Sequence, residues 1–257
     1  MKTMPSRLLI FISLVICAGC SIKEKRSLCP CRLVLDFSEV DTAVISSADV
    51  EVAAPDGLVF YDQIDSDDYE NYFVNIPRGE HRLCLWHGRG DCVAGEGLKI
   101  PYGEDAPPVY IHSSVIEAEC EQLSEIVRMR KNHCKITIIM KGEDYTPVEI
   151  ALLGNVNGYA GDGCPSVGEF RCSSGLDSDG ICSMVLPRQI DDSLIMELDD
   201  GTEVLKKFTL GGYIAESGYD WSAPDLEDIT MELDFAVTHL TLVIQGWEKE
   251  YEFDVVI

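Results

Sequence analysis

Apolar and polar residues alternate in short runs along most of the chain. Residues 32–37, 72–76 and 82–86 each alternate, and Pro77, Arg78 and Gly79 break the chain between the last two runs. Successive side chains on a strand point to opposite faces, so such runs predict half-buried β-strands. A short candidate at 109–111 follows Pro107 and Pro108. Residues 115–127 are spaced more like a helix or a linker. The alternation restarts at 134–140 and continues at 148–153, 184–186, 194–198 and 204–210. Near the end 229–235 alternates strictly and 239–244 less so, and Gln245 and Gly246 set off a last run at 247–257. Many short strands with turn signals between them predict β-sandwiches. The expected fold is all-β, with two tandem antiparallel sandwiches over 29–122 and 123–257.

The first residues follow a different pattern. Lys2 and Arg7 precede an apolar stretch at 8–16, and the small residues Ala18 and Gly19 precede Cys20. The stretch suits the core of a signal peptide and is too short to cross a bilayer as a permanent helix. An apolar run, two small residues and a cysteine resemble the bacterial lipobox. The expected division is a signal peptide at 1–19, cleavage before Cys20 and a polar tether at 20–28. A diacylglyceryl group on the Cys20 sulfur, with acyl chains such as palmitate, would hold the mature chain to a membrane. Stable anchoring takes more than one acyl chain, and a triacylated cysteine meets that need.

Charge then narrows the partners. The 45 Asp and Glu against 20 Lys and Arg give a formal net charge of −25. Such a surface repels phosphates, so nucleic acid is not an expected partner. Export, in turn, permits disulfides. Nine cysteines remain once Cys17 and Cys20 are set aside, so at least one has no intramolecular partner. Cys84 and Cys92 flank an expected turn, and Cys164, Cys172 and Cys182 fall in an expected Gly/Ser/Asp-rich loop. Either group is a disulfide candidate, with no pairing fixed by spacing. Cys29 and Cys31 are two apart and would face the same side of a strand.

Catalytic signatures are missing. There is no HExxH, no GxSxG and no Gly-rich phosphate loop among the 257 residues. Beyond Cys17 and Cys20 of the lipobox segment, no short Cys-x₂₋₄-Cys knuckle suggests zinc. Asp177, Asp179 and Gly180 echo part of a calcium loop, but the downstream Glu is absent and a turn is expected. No enzyme activity and no cofactor are expected. Trp86 and Trp247 fall in alternating runs and are expected in a core. Trp221 is the expected exposed aromatic, and it supports an alternative reading as a surface glycan-binding lipoprotein.

Several segments, in order, resemble the FimB/Mfa-type anchor lipoproteins of fimbrillin-built type V fimbriae. They are Leu28-Cys29-Pro30 before the strand at 32–37, the run from Ile76 to Trp86, the run from Val127 to Ile138, the run from Asp225 to Asp234, and Gly246 to Tyr251. The resemblance implies tandem transthyretin-like sandwiches and a non-enzymatic role in cell adhesion. It implies an outer-membrane, surface-exposed anchor subunit of a fimbrium, tethered through Cys20. Its implied partners are fimbrillin subunits joined by strand donation, in which main-chain hydrogen bonds give affinity.

Overall fold

The alternating runs fold as strands. The computed structural model describes residues 29–141, 149–199, 204–234, 239–244 and 250–254. The signal segment, Cys20, the tether at 20–28 and Trp247 lie outside the described residues.

The first half holds β1 (Cys31–Asp36), β2 (Ser47–Ala54), β3 (Gly57–Asp65), β4 (Phe73–Ile76), β5 (Glu80–His87), β6 (Leu98–Lys99), β7 (Tyr110–Glu117), β8 (Gln122–Ile126) and β9 (Arg130–Lys131). There follow β10 (His133–Lys141), β11 (Glu149–Tyr159), β12 (Pro165–Gly175), β13 (Ile181–Pro187), β14 (Ile195–Asp199) and β15 (Val204–Phe208). A short helix, α1 (Leu210–Glu216), leads to β16 (Ile229–Asp234), β17 (His239–Ile244) and β18 (Glu250–Asp254).

Four sheets result. Their orders are β4-β1-β8, β3-β2-β5-β7-β9, β12-β11-β14-β15 and β13-β10-β16-β17-β18. Pairings are antiparallel except β1 with β8 and β10 with β16, which are parallel. One connection pattern therefore occurs twice. The order β4-β1-β8 recurs as β13-β10-β16, and β3-β2-β5-β7 recurs as β12-β11-β14-β15.

Three segments differ from the sequence expectation. Residues 115–127 form the end of β7 and all of β8, not a helix. Their burial alternates, with Ile116 buried and Val115 exposed. The expected division after residue 122 falls at the start of β8, whose pairing with β1 ties it to the first sheets. The expected loop around 164–182 is largely β12 and β13 joined by a tight turn at 176–180. There the Asp177 carboxylate accepts the N–H groups of Asp179 and Ile181, both at 2.9 Å.

Two hydrophobic cores hold the sheets. Leu33, Leu35, Val50, Val52, Leu83, Leu85 and Ile116 belong to one. Ile136, Ile138, Ile150, Leu152, Met184, Met196 and Met231 belong to the other. The second core also takes Cys84, Trp86, Leu98, Ile100 and Ile111 from the first half of the chain. β5 is thus buried on both faces, which is why its middle reads Leu-Cys-Leu-Trp without a polar break. β6 pairs with β11, so a piece of the first half is sewn into the second half's sheet.

Candidate functional site

The sheet edge formed by β3 is the most apolar exposed strand among the described residues. Leu58, Val59 and Tyr61 are 41%, 38% and 44% exposed. β3 ends its sheet, so its outer backbone groups face away from any described strand. Behind this edge lies a groove of about 590 Å³, lined by Glu51, Leu58, Arg82, Cys84, Val115 and Asp162 among others.

The groove is closed on one side by two loops that touch. Gly97 has φ +80, and a Cβ there would lie 2.2 Å from the Tyr159 carbonyl oxygen. Only glycine fits both the backbone twist and the approach. That approach brings residues 160–162 beside the groove. Arg82 then pairs with Asp162 at 2.6 Å at the mouth. Burial alone would raise the Asp162 carboxyl, but the Cys164 N–H and Arg82 outweigh it and hold the group below the usual carboxylate range. Ser113 Oγ donates to the Asp162 carbonyl at 2.7 Å.

A buried ion cluster reaches the groove wall through Glu51. Arg89 Nε donates to Asp49 at 2.7 Å, and its Nη2 lies 2.7 Å from Glu51. The Arg89 side chain is 1% exposed. Glu51 also accepts the Trp86 indole N–H at 3.2 Å and the Gly95 N–H at 3.0 Å. Gln63 and Tyr61 donate to Asp49 at 3.1 and 3.3 Å. One arginine so binds two carboxylates on β2 and joins them to β3, β5 and the loop after β5. The sequence alone gave little sign of this cluster. Arg89 sits in a segment that reads as a turn, and Asp49 and Glu51 look like solvent-facing acids. The one clue was their i, i+2 spacing, which puts both on a single strand face.

The cysteines singled out by sequence do not meet as bonded pairs. All nine cysteines of the described residues are free. Cys84 is buried in β5, where burial raises its thiol well above the ordinary range. Cys92 is half-buried, and its thiol donates to the Arg89 carbonyl. Cys164 is exposed just before β12. Cys172, on β12, and Cys182, on β13, are buried in the second core, and burial pushes the Cys182 thiol up to about 11.

Trp221 is not the free aromatic expected. It is half-buried against the second core and meets Tyr219 edge to face, with centroids 4.8 Å apart. Its loop is fixed by Arg188, whose guanidinium donates to the carbonyls of Trp221, Ala223 and Pro224. Trp86 is fully buried, as its alternating run implies.

The histidines serve the framework. His81 contacts the Pro77 carbonyl, His87 that of Ser47 and His133 that of Val109. Among the described residues no group of three or more His, Cys, Asp or Glu is placed to hold a metal ion. Among the same residues no helix is long and apolar enough to cross a membrane.

Comparison with known proteins places this architecture. No family model matches the sequence, and no curated protein matches it significantly. Solved structures do match. A candidate polysaccharide-binding protein of Bacteroides thetaiotaomicron superposes with a TM-score of 0.61 at 14% identity, covering 87% of this chain and 98% of its own. A candidate adhesin of Bacteroides ovatus gives 0.58 at 12% identity, covering 91% and 97%. The fimbrial anchor protein Mfa2 of Porphyromonas gingivalis gives 0.56 at 15% identity, covering 85% and 98%. The chain therefore carries the β-sandwich fold shared by a fimbrial anchor of Porphyromonas and candidate adhesins of Bacteroides.

Proposed function

We propose that this chain is a non-enzymatic lipoprotein that holds the base of a fimbrial fibre to the outer membrane. The observation that carries the reading is a fold matched along nearly the whole of a fimbrial anchor, joined to a lipobox ending at Cys20. Acyl chains on Cys20 supply the membrane grip, at about 0.8 kcal/mol for each buried CH₂. The β3 edge supplies a contact for a fimbrillin subunit. A partner strand laid along it would gain main-chain hydrogen bonds, and Leu58, Val59 and Tyr61 would select its side chains. The repeated strand order supports two tandem units, with their junction between β9 and β10.

The test is Cys20→Ala in the native bacterium, with fibres imaged on cells and in the medium by electron microscopy. Shed or overlong fibres, with the unlipidated protein still folded, support the anchor. Unchanged fibres, with only this protein lost from the membrane, sink it.

A second reading, a surface glycan-binding lipoprotein, is favoured by the groove behind β3 and by the similarity to a candidate polysaccharide-binding protein. Arg82 and Asp162 at the groove mouth would donate to and accept from sugar hydroxyls. Oligosaccharide binding that is lost in Arg82→Ala would support that reading. Equal binding by the variant would remove it.

A further inference from the structure

Cys31 and Cys120 were not paired by any sequence argument, yet the fold brings them together. β1 and β8 run parallel, with Arg32 opposite Gln122. The Arg32 N–H donates to the Glu121 carbonyl at 2.9 Å, and the two cysteines flank that bond. The Cys120 thiol donates to the Gln122 carbonyl at 3.0 Å, which folds its side chain back toward β8. Cys31, next to Arg32, and Cys120, next to Glu121, thus lie on either side of one inter-strand hydrogen bond, and Cys120 adds to burial in raising the Cys31 thiol. Cys31 is fully buried in the first core, and Cys120 is exposed.

We propose that Cys31 and Cys120 form a disulfide in the exported protein, stapling the first strand to the sheet it enters. The oxidant is a disulfide, either a small molecule such as oxidised glutathione or a protein of the oxidising compartment. The exposed Cys120 attacks one sulfur of the oxidant as a thiolate and expels the first thiolate. Cys31 then attacks Cys120 in the mixed disulfide and expels the second. Two protein thiols lose two electrons and two protons, and the oxidant becomes two thiols. The Arg78 guanidinium acts on Cys31 in favour of its thiolate, partly opposing burial. Cys29 is the competing thiol. It is exposed, lies ahead of β1, and its carbonyl is held by Arg78 at 2.8 Å.

The staple has a mechanical sense that follows from its place. Parallel neighbours have no hairpin between them, and about 90 residues separate these two cysteines. Closing so long a loop removes more freedom from the unfolded chain than closing a short one. The staple also sits where the segment from Cys20 enters the fold. If lipid on Cys20 bears load, that load reaches β1 first. The disulfide itself needs no lipid, so its failure would leave the anchor reading standing.

The test is peptide mapping. The full chain, purified from membranes in detergent, is incubated with oxidised glutathione, alkylated and digested with trypsin without reduction. Peptide 27–32, which holds Cys29 and Cys31, is expected linked to peptide 100–128, which holds only Cys120. The link should persist in Cys29→Ser and vanish in Cys120→Ser, both changes at exposed positions. Reduction should lower the melting temperature of the wild type by several degrees and leave Cys120→Ser unmoved. No linked pair in the wild type, or a pair lost in Cys29→Ser, would overturn the assignment. A linked pair whose reduction leaves the melting temperature unchanged would overturn the stapling role.

Discussion

Leu85 and Trp86 are neighbours in β5, yet their side chains belong to different hydrophobic cores. Either truncation should therefore be felt by the whole molecule. Leu85→Ala is expected to cost about 2–5 kcal/mol and Trp86→Ala about 3–5 kcal/mol. The tryptophan change has a further consequence, because Glu51 loses the indole N–H donor. Urea unfolding followed by circular dichroism measures both. A loss under about 1 kcal/mol in either would contradict the double burial of β5.

Arg89 neutralises two buried carboxylates, so its removal should cost more than an ordinary surface charge. Arg89→Met keeps much of the bulk but leaves Asp49 and Glu51 without their cation. Breaking a buried ion pair by deleting one partner costs about 3–5 kcal/mol. The same change at Arg82, whose pair with Asp162 is partly exposed, is expected to cost under about 1 kcal/mol. Comparing the two denaturation midpoints checks the contrast.

Gly97→Ala would push a methyl group into the Tyr159 carbonyl and strain a left-handed backbone. Conformation alone costs roughly 1–2 kcal/mol, before the clash is counted. A lower melting temperature is expected for Gly97→Ala. Gly103→Ala keeps a left-handed φ of +93 but meets no atom within 4 Å, so the gap between the two variants isolates the clash.

Two buried histidines predict an acid limb of stability. Burial depresses His112 and His133 below the ordinary value of 6.5, and their charged partners do not offset it. The fold therefore prefers the neutral rings, and below about pH 6.5 the unfolded chain binds more protons. Their contribution is fully present above 6.5 and is lost as pH falls through the depressed folded values. Urea midpoints at pH 7.5 and 5.5 should differ less in a His112→Gln/His133→Gln double variant than in the wild type.

Much of this architecture was legible in the sequence, and the misses have physical causes. The alternating runs at 32–37, 134–140 and 229–235 closely match β1, β10 and β16. β2 went unread although Asp49, Val50, Glu51 and Val52 alternate, and the alternation misleads about its faces, because the two acids are buried as well as the two valines. β12 ends its sheet and is punctuated by Gly and Ser, so it reads as loop. The paired glycines 211 and 212 masked α1. The groove and its ion cluster were out of reach, because they join Glu51, Arg89 and Asp162 across long separations that one sequence does not encode locally.

If the β3 edge receives a fimbrial subunit, one lysine on it should be enough to show this. Val59→Lys places a charge in the expected contact at an exposed position, so the fold should persist. Binding of a purified fimbrillin subunit is expected to weaken roughly tenfold, the equivalent of about 1.4 kcal/mol. Val167→Lys is the control, on the exposed β12 edge, where Val167 is 76% exposed. Equal binding by both variants would move the contact away from β3.

β6 ties the first half of the chain to the second. Leu98 and Ile100 leave the first half of the chain and lodge in the second core, while Lys99 and Leu98 pair with Gly158 and Tyr159. The two halves cannot swing about the junction at 131–133 without tearing those side chains out. Bending there would expose Leu98 and Ile100 to water, so burial of these two side chains opposes it.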